Sequence, residues 1–430
     1  MFKKFLISSL RILAQQIIKK YHPKIVGITG SVGKTSTKES TATILETRFN
    51  VRKNYKNYNN EIGLPLTIIG IEQSPGKSIF GWLIVYLKAW RLIWITDKKY
   101  PEILVLEMGA DKPGDIKYLI EIAPCSIGVL TLISHAHTEY FKTIEKITSE
   151  KKLIISHLNS DGTAVLNFDN NLVMEQTDAT KAEIITYGFK EGADLRATDT
   201  NIIYNQSGFP EGLNFKIHYK GSSVPAFLPG FVAEHMISST LAGLAVGLSL
   251  GINLVAGVEA LKKQKPIPGH MRLIPGIKNT TLIDDTYNSS PAASRSGLIT
   301  LMKINIPPGA RRFAILGDML ELGVETENAH REIGLIVAEL DVDFLITVGE
   351  ASKQTAKTAK EAGLNDDRIA MFDNSISAGK FLQEKMSPGD LILIKGSQGA
   401  RMEKIVKEIM AEPLEAPDLL VRQDDNWLKN

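Results

Sequence analysis

Between Lys24 and Ser40 the chain reads KIVGITGSVGKTSTKES. A short apolar run meets a glycine turn, and Gly-Lys-Thr then opens a helix-like segment. Strand, glycine turn and helix in that order are the context a phosphate loop requires. Backbone N–H groups along Gly30, Ser31, Gly33, Lys34, Thr35 and Ser36 can approach phosphate oxygens, and the helix N-terminus favours the anion. Lys34 would neutralise the β- and γ-phosphates, and the Thr35 hydroxyl would ligate Mg²⁺. The spacing departs from the strict form at Ile28, where a glycine is usual.

The same alternation continues along the chain. PEILVLEMG and SIGVLTLIS are near-continuous apolar runs of the kind that buried parallel strands show. TLIDDT, RRFAILGD, DFLITVG, RIAMF and LILIKG follow, separated by helix-like segments such as ENAHREIGLIVAEL. This predicts an α/β protein: a central phosphate-loop ATPase domain with a mostly parallel sheet, then a Rossmann-like α/β domain. The stretch KKQKPIPGHMRLIPG, rich in proline and glycine, marks the break. The expected units are a basic amphipathic helix at 1–22, a central domain at 23–268 with an apolar insertion near 72–98, and a second domain at 269–430.

A metal at the loop needs further ligands. Glu107 ends one apolar strand, and His135 and His137 follow another. Ligands in open α/β sheets bind beyond the carboxyl ends of the strands, so these three are expected to converge on the loop. A formal net charge of +2 gives no reason to expect a nucleic-acid partner. The single cysteine, Cys125, excludes an internal disulfide and suits a reducing compartment.

Two apolar stretches are candidate membrane contacts. In the first twenty residues Phe2, Phe5, Leu6, Leu10, Leu13 and Ile17 share one helical face, opposite Lys4, Arg11 and Lys19. Packing of that helix on its own domain is the alternative. FGWLIVYLKAWRLIWI, residues 80–95, holds three of the four tryptophans and is too short to span a bilayer comfortably. It reads either as a cover over the sheet or as a second membrane-interface element.

Beyond the loop, NYNNEIGLPLT, LEMGADKPGDI, AHTEYF, AVLNFDN, LIDDTYNSSP, LGDMLELG and KGSQGARME appear in order. Together they resemble the ATP-dependent Mur ligase family, in its MurF-type branch. The resemblance implies an ATP-dependent ligase of peptidoglycan precursor synthesis, which joins D-Ala-D-Ala to UDP-N-acetylmuramoyl-tripeptide through an acyl phosphate. It implies ATP on the loop and Mg²⁺ at two sites. Thr35, Glu107, His137 and Lys151 are then metal ligands, with Lys151 (or Lys152, by a one-residue slip) carbamylated by CO₂. Lys34, Glu107, His137 and Lys151 are the catalytic set. Asp285 and Asn288 meet the nucleotide, and Asn59, Asn60, Asp318, His330 and Lys395 face substrate.

Departures from the family pattern accompany the match. The loop strand begins near Lys24, which leaves room for one helix where the family has a domain that grips the UDP-sugar. His270 stands where the family has Arg, Met236 where it has Asn, and Ser290 where a second Asn is usual. The expected molecule is a cytoplasmic monomer acting on small-molecule and peptide substrates, with an optional seat at the inner membrane face. A ligase for another carboxylate, such as a lipid-linked cell-wall precursor, is the alternative. A scaffold with a vestigial site is disfavoured, because Lys34, Thr35, Glu107, His137 and Lys151 are all present.

Overall fold

The structure is a computed structural model, and it describes residues 2–55, 58–134, 141–424 and 427. Helix α1 (Phe2–Tyr21) leads into β1 (Lys24–Thr29), which is buried from Ile25 onward and passes through the glycine turn into α2 (Lys34–Leu45). Next come β2 (Val51–Lys53), α3 (Gly63–Ile69), α4 (Ile79–Trp94), β3 (Ile103–Glu107) and α5 (Asp115–Ile122). They are followed by β4 (Ile127–Leu130), α6 (Ile144–Lys151), β5 (Thr163–Asn167) and β6 (Glu183–Gly188). The strands pair in parallel in the order β2-β3-β1-β4-β5-β6. β3 and β4 therefore flank β1, and the chain changes direction across the sheet at the loop. This is the switch point at which open α/β sheets bind ligands.

Three longer strands extend that sheet: β7 (Leu195–Tyr204), β8 (Pro210–Tyr219) and β9 (Ser222–Pro229), with β8 and β9 antiparallel to their neighbours. Helix α7 (His235–Ser249) then packs against α2. A second sheet begins with the antiparallel pair β10 (Arg272–Gly276) and β11 (Thr280–Asp285). After α8 (Pro291–Lys303) come β12 (Arg312–Gly317), α9 (Thr326–Glu339), β13 (Phe344–Val348), β14 (Ile369–Phe372) and β15 (Leu391–Lys395). Its order is β10-β11-β15-β12-β13-β14, parallel except at β10. The change of sheet falls between Leu261 and Arg272, within the stretch rich in proline and glycine.

The two apolar helices have different fates. In α1 the side chains of Leu6, Leu10, Leu13, Ala14 and Ile17 are buried in the core shared with β3 and α5. The buried part of its apolar stripe is therefore covered by its own domain, and among its described side chains the large apolar ones left exposed are Phe5 and Ile12. Leu10 is fully buried, so Leu10→Ala is expected to cost about 2–5 kcal/mol in urea unfolding. Removal of residues 1–21 would expose the same core. In α4, Trp82, Val85, Ala89 and Leu92 face inward, while Ile79, Phe80, Leu83, Ile84, Leu87, Trp90 and Trp94 are exposed. Among the described residues no helix is long and apolar enough to cross a membrane.

Candidate active site

The turn between β1 and α2 is shaped by two glycines. Gly33 caps α2 with φ of 87°, a left-handed conformation that glycine adopts without penalty. At Gly30 an added Cβ would lie 1.9 Å from Thr131 Oγ1, at the end of β4. The close approach is held by Ser31 N–H donating to the Leu132 carbonyl (2.6 Å), and by Thr131 Oγ1 donating to the Val32 carbonyl (2.7 Å). Ser31 Oγ donates to the Ser134 carbonyl at 3.0 Å. Ser36, the third residue of α2, is buried.

Two lysines converge on one carbonyl oxygen of this turn. Lys34 Nζ donates to Gly30 O at 2.9 Å, and Lys151 Nζ, from the last position of α6, donates to it at 3.1 Å. Burial lowers the Lys34 pKa, with Glu107 and Asp111 acting in the opposite direction. Burial, then the charge of Lys34, pushes Lys151 down to about 7. Lys152 sits at the helix end, half-buried, so Lys151 is the residue aimed at the loop. Glu150 fixes that aim: its carboxylate accepts from Gly114 N–H (2.8 Å) and Ile116 N–H (2.7 Å) at the start of α5.

Glu107, at the end of β3, lies across the turn. Its carboxylate accepts from Thr35 Oγ1 (3.0 Å) and Asn59 Nδ2 (3.0 Å), and Lys38 Nζ stands 3.9 Å away. Asn54 locks the strand end by accepting from the Glu107 N–H at 2.5 Å. Asn60 is engaged elsewhere: its side-chain oxygen accepts from Gly63 N–H and Ile62 N–H at the start of α3. His135 and His137 lie outside the described residues. Among the described residues no cluster of three His, Cys, Asp or Glu could hold a metal. Thr35 and Glu107 supply oxygens at one point, and they fit a hard cation that keeps some of its water. The crowded lysines and the free loop end fit a polyphosphate anion.

The second domain brings its own cluster. Lys395 Nζ, almost wholly buried at the end of β15, bonds Asp285 Oδ2 at 2.7 Å and the Asn288 carbonyl at 3.0 Å. Asn288 itself is exposed. Ser290 caps α8 by accepting from Ala293 N–H, a role open to serine as to asparagine. His270 stacks on Tyr287 with ring centroids 4.5 Å apart, and His235 Nδ1 meets Ser296 Oγ of α8 at 2.9 Å. Burial lowers the pKa of both histidines, and Asp285 and Lys395 act on both. The contact between His235 and Ser296 joins the two domains at this site. Between them lies a cavity of about 370 Å³ lined by Asn167, Asp169, Asn170, His235, Arg295 and Ser296, among others.

Asp318 and His330 are tied to the backbone. Asp318 Oδ1 accepts from Ser352 N–H at 2.8 Å. His330, 1% exposed, has Nδ1 against the Thr326 carbonyl and accepts from Met319 N–H at Nε2. Neither ring nitrogen is left for a substrate, so the expected substrate contact at His330 gives way to one that positions the loop after β12. Sequence reasoning did not single out Lys38, Asn54 or Glu150. Lys38 had a signal, since it lies one helical turn beyond Lys34. Asn54 and Glu150 had none, because the partners that matter here, the backbone at Glu107, Gly114 and Ile116, are distant in sequence.

Comparison with known proteins places this geometry among relatives. The Mur ligase middle domain matches residues 28–79 and 91–247, and the Mur ligase glutamate ligase domain matches 269–398. The UDP-N-acetylmuramoyl-tripeptide–D-alanyl-D-alanine ligase of Bacillus subtilis is 28% identical over 95% of this chain and 80% of its own length. The enzyme of the same name from Synechocystis is 30% identical over 95% of this chain and 80% of its own. Among solved structures, MurF ligase from Thermotoga maritima in complex with ADP superposes with a TM-score of 0.77 at 28% identity. That match covers 96% of this chain and 84% of the other.

Proposed function

The chain belongs to the Mur ligase family and is an ATP-dependent, ADP-forming ligase, and from that premise we propose that it joins D-Ala-D-Ala to UDP-N-acetylmuramoyl-tripeptide. The observation that carries the reading is the convergence of Lys34 and Lys151 on Gly30, opposite Thr35 and Glu107. ATP lies with its β- and γ-phosphates on the loop N–H groups and Lys34. Its base occupies the cavity near Asn167 and His235, and Asp285, Asn288 and Lys395 close over it from the second domain.

The substrate carboxylate attacks the γ-phosphorus, and ADP leaves from an acyl phosphate. The incoming amine attacks the acyl carbon, loses a proton, and expels phosphate as the amide forms. Negative charge gathers on the transferred phosphoryl group, where Lys34 and the loop N–H groups are fixed beforehand. Mg²⁺, held by Thr35, Glu107, His137 and Lys151, would neutralise part of that charge. Lys151 with a pKa of about 7 offers a neutral amine at physiological pH, which is the form that adds CO₂ to become a carbamate ligand. Asn59 faces substrate, and Asn60, Asp318 and His330 act through the backbone they hold. Contact of the two domains across the cleft keeps water from the acyl phosphate.

A monomer in the cytoplasm completes this reading. A second reading keeps the chemistry and takes a lipid-linked acid at the inner membrane face. The exposed apolar side of α4 favours it. Phosphate release with ATP and D-Ala-D-Ala, with and without UDP-N-acetylmuramoyl-tripeptide, separates the two when the product is weighed by mass spectrometry. The expected product is the tripeptide precursor plus one D-Ala-D-Ala. Turnover only with a lipid-linked acid would move the assignment to the second reading.

A further inference from the structure

The outer half of α4 is apolar where a helix on a protein surface is ordinarily polar. Phe80, Leu83, Leu87 and Trp94 follow one another along its solvent side and are 49–83% exposed. Phe5 and Ile12 of α1 are also exposed, at helical spacing from Ser9, whose hydroxyl meets that of Tyr86 on α4. A contiguous exposed apolar surface of this kind marks an interaction site. The helix is fixed in this orientation. Ser78 caps its start, and the carbonyls of Leu92, Ile93 and Ile95 at its end accept from Lys20 Nζ and Tyr21 Oη of α1. Residues 80–90 are also the stretch that interrupts the match to the middle-domain family.

Charge identifies the occupant. The whole chain is nearly neutral, with 50 basic and 48 acidic residues. α1 and α4 together carry seven lysines and arginines and no aspartate or glutamate, and of the seven only Lys3 and Arg11 pair with an acid, Glu61 and Glu121 respectively, among the described residues. Lys88 and Arg91 are both exposed on α4, and the Lys88 ammonium donates to the Gly70 carbonyl. A second copy docked by two-fold symmetry would set these cations against themselves. A bilayer with anionic headgroups accepts both features, apolar side chains in the acyl boundary and cations among the phosphates. Trp90 and Trp94 belong at that boundary.

We propose that α4, with the outer edge of α1, is a membrane-seating face that holds the catalytic domain against an anionic lipid surface. The inference rests on this surface and stands whichever acid the ligase takes. It moves the principal contact from the N-terminal helix, whose apolar stripe is buried, to the helix at 79–94. Flotation of the full chain with phosphatidylglycerol-phosphatidylcholine vesicles, and with phosphatidylcholine alone, tests it. The wild type is expected to float with the anionic vesicles and to be released by salt. Phe80→Glu/Leu87→Glu/Trp94→Glu should lower the vesicle-bound fraction at least tenfold, with the circular dichroism spectrum and ATP binding unchanged. Lys88→Glu/Arg91→Glu should abolish the preference for anionic over zwitterionic vesicles. Failure of the wild type to float, or equal flotation of the triple variant, would overturn the proposal. So would a solution dimer that the triple variant converts to monomer, since the face would then join two copies of the chain.

Discussion

Lys34→Ala is expected to lower ATP-dependent phosphate release by about 10²- to 10³-fold while leaving the protein folded. The lysine lies at the first position of α2 with its ammonium on Gly30 O, inside the turn rather than in solvent. Burial already makes that charge costly, as its lowered pKa records. A phosphate brought to the turn supplies a closer counter-charge than Glu107 and Asp111, and the ammonium gains most when the phosphoryl group is in flight. The loss should therefore fall on kcat and kcat/KM together, with a smaller change in KM. Lys34→Arg should not rescue, because a planar guanidinium does not occupy the space of a compact ammonium. Steady-state phosphate release, with circular dichroism as the folding control, makes the measurement. A Lys34→Ala enzyme of undiminished kcat would remove the loop from the mechanism.

Lys151→Met should separate stability from activity in opposite directions. The amine falls from its ordinary 10.5 to about 7 on folding, mainly through burial. Between those values the unfolded chain binds more protons than the folded one, so the residue opposes folding fully below pH 7 and ceases to do so above 10.5. The penalty at pH 7 is on the order of 4 kcal/mol, and the hydrogen bond to Gly30 O offsets about 1 of it. The nucleotide-free variant is therefore expected to be more stable than wild type by about 2–4 kcal/mol at pH 7. The gap should close toward pH 10. Urea unfolding at several pH values in CO₂-free buffer reads this directly. Added bicarbonate should stabilise wild type and leave the variant unmoved if the lysine takes up CO₂. Phosphate release should fall at least about 10²-fold in the variant, through loss of the proposed ligand. A variant less stable than wild type at every pH would show that Lys151 is held by contacts outweighing its desolvation.

Much of the core was legible because its signals are local. A parallel strand buried on both faces must be apolar along its length, and β1, β3, β4, β12, β13 and β15 all read that way. The antiparallel strands β7, β8 and β9 went unread. LRATDTNIIY and PEGLNFKIHY mix polar and apolar residues, and β8 shows its inward positions only through its burial in the sheet. α1 and α4 illustrate the same limit. Both sequences are apolar and basic, and nothing local to either says which face meets the domain.

The strand, turn and helix around the loop were legible in the sequence alone. Gly30, Gly33, Lys34 and Thr35 are neighbours in the chain, and the strand-turn-helix follows from local signals: an apolar run, two glycines and a helix-forming stretch. The sequence also determined that Glu107 would stand at a strand end beside them. Only the tertiary structure decided that Lys151 rather than Lys152 reaches the loop, because that depends on Glu150 clamping α5 more than thirty residues away. The tertiary structure alone decided that the ring of His330 is occupied by backbone, and that α4 rather than α1 presents its apolar side. Each of these turns on which partner covers a side chain, and burial is a property of the packed chain rather than of any segment within it.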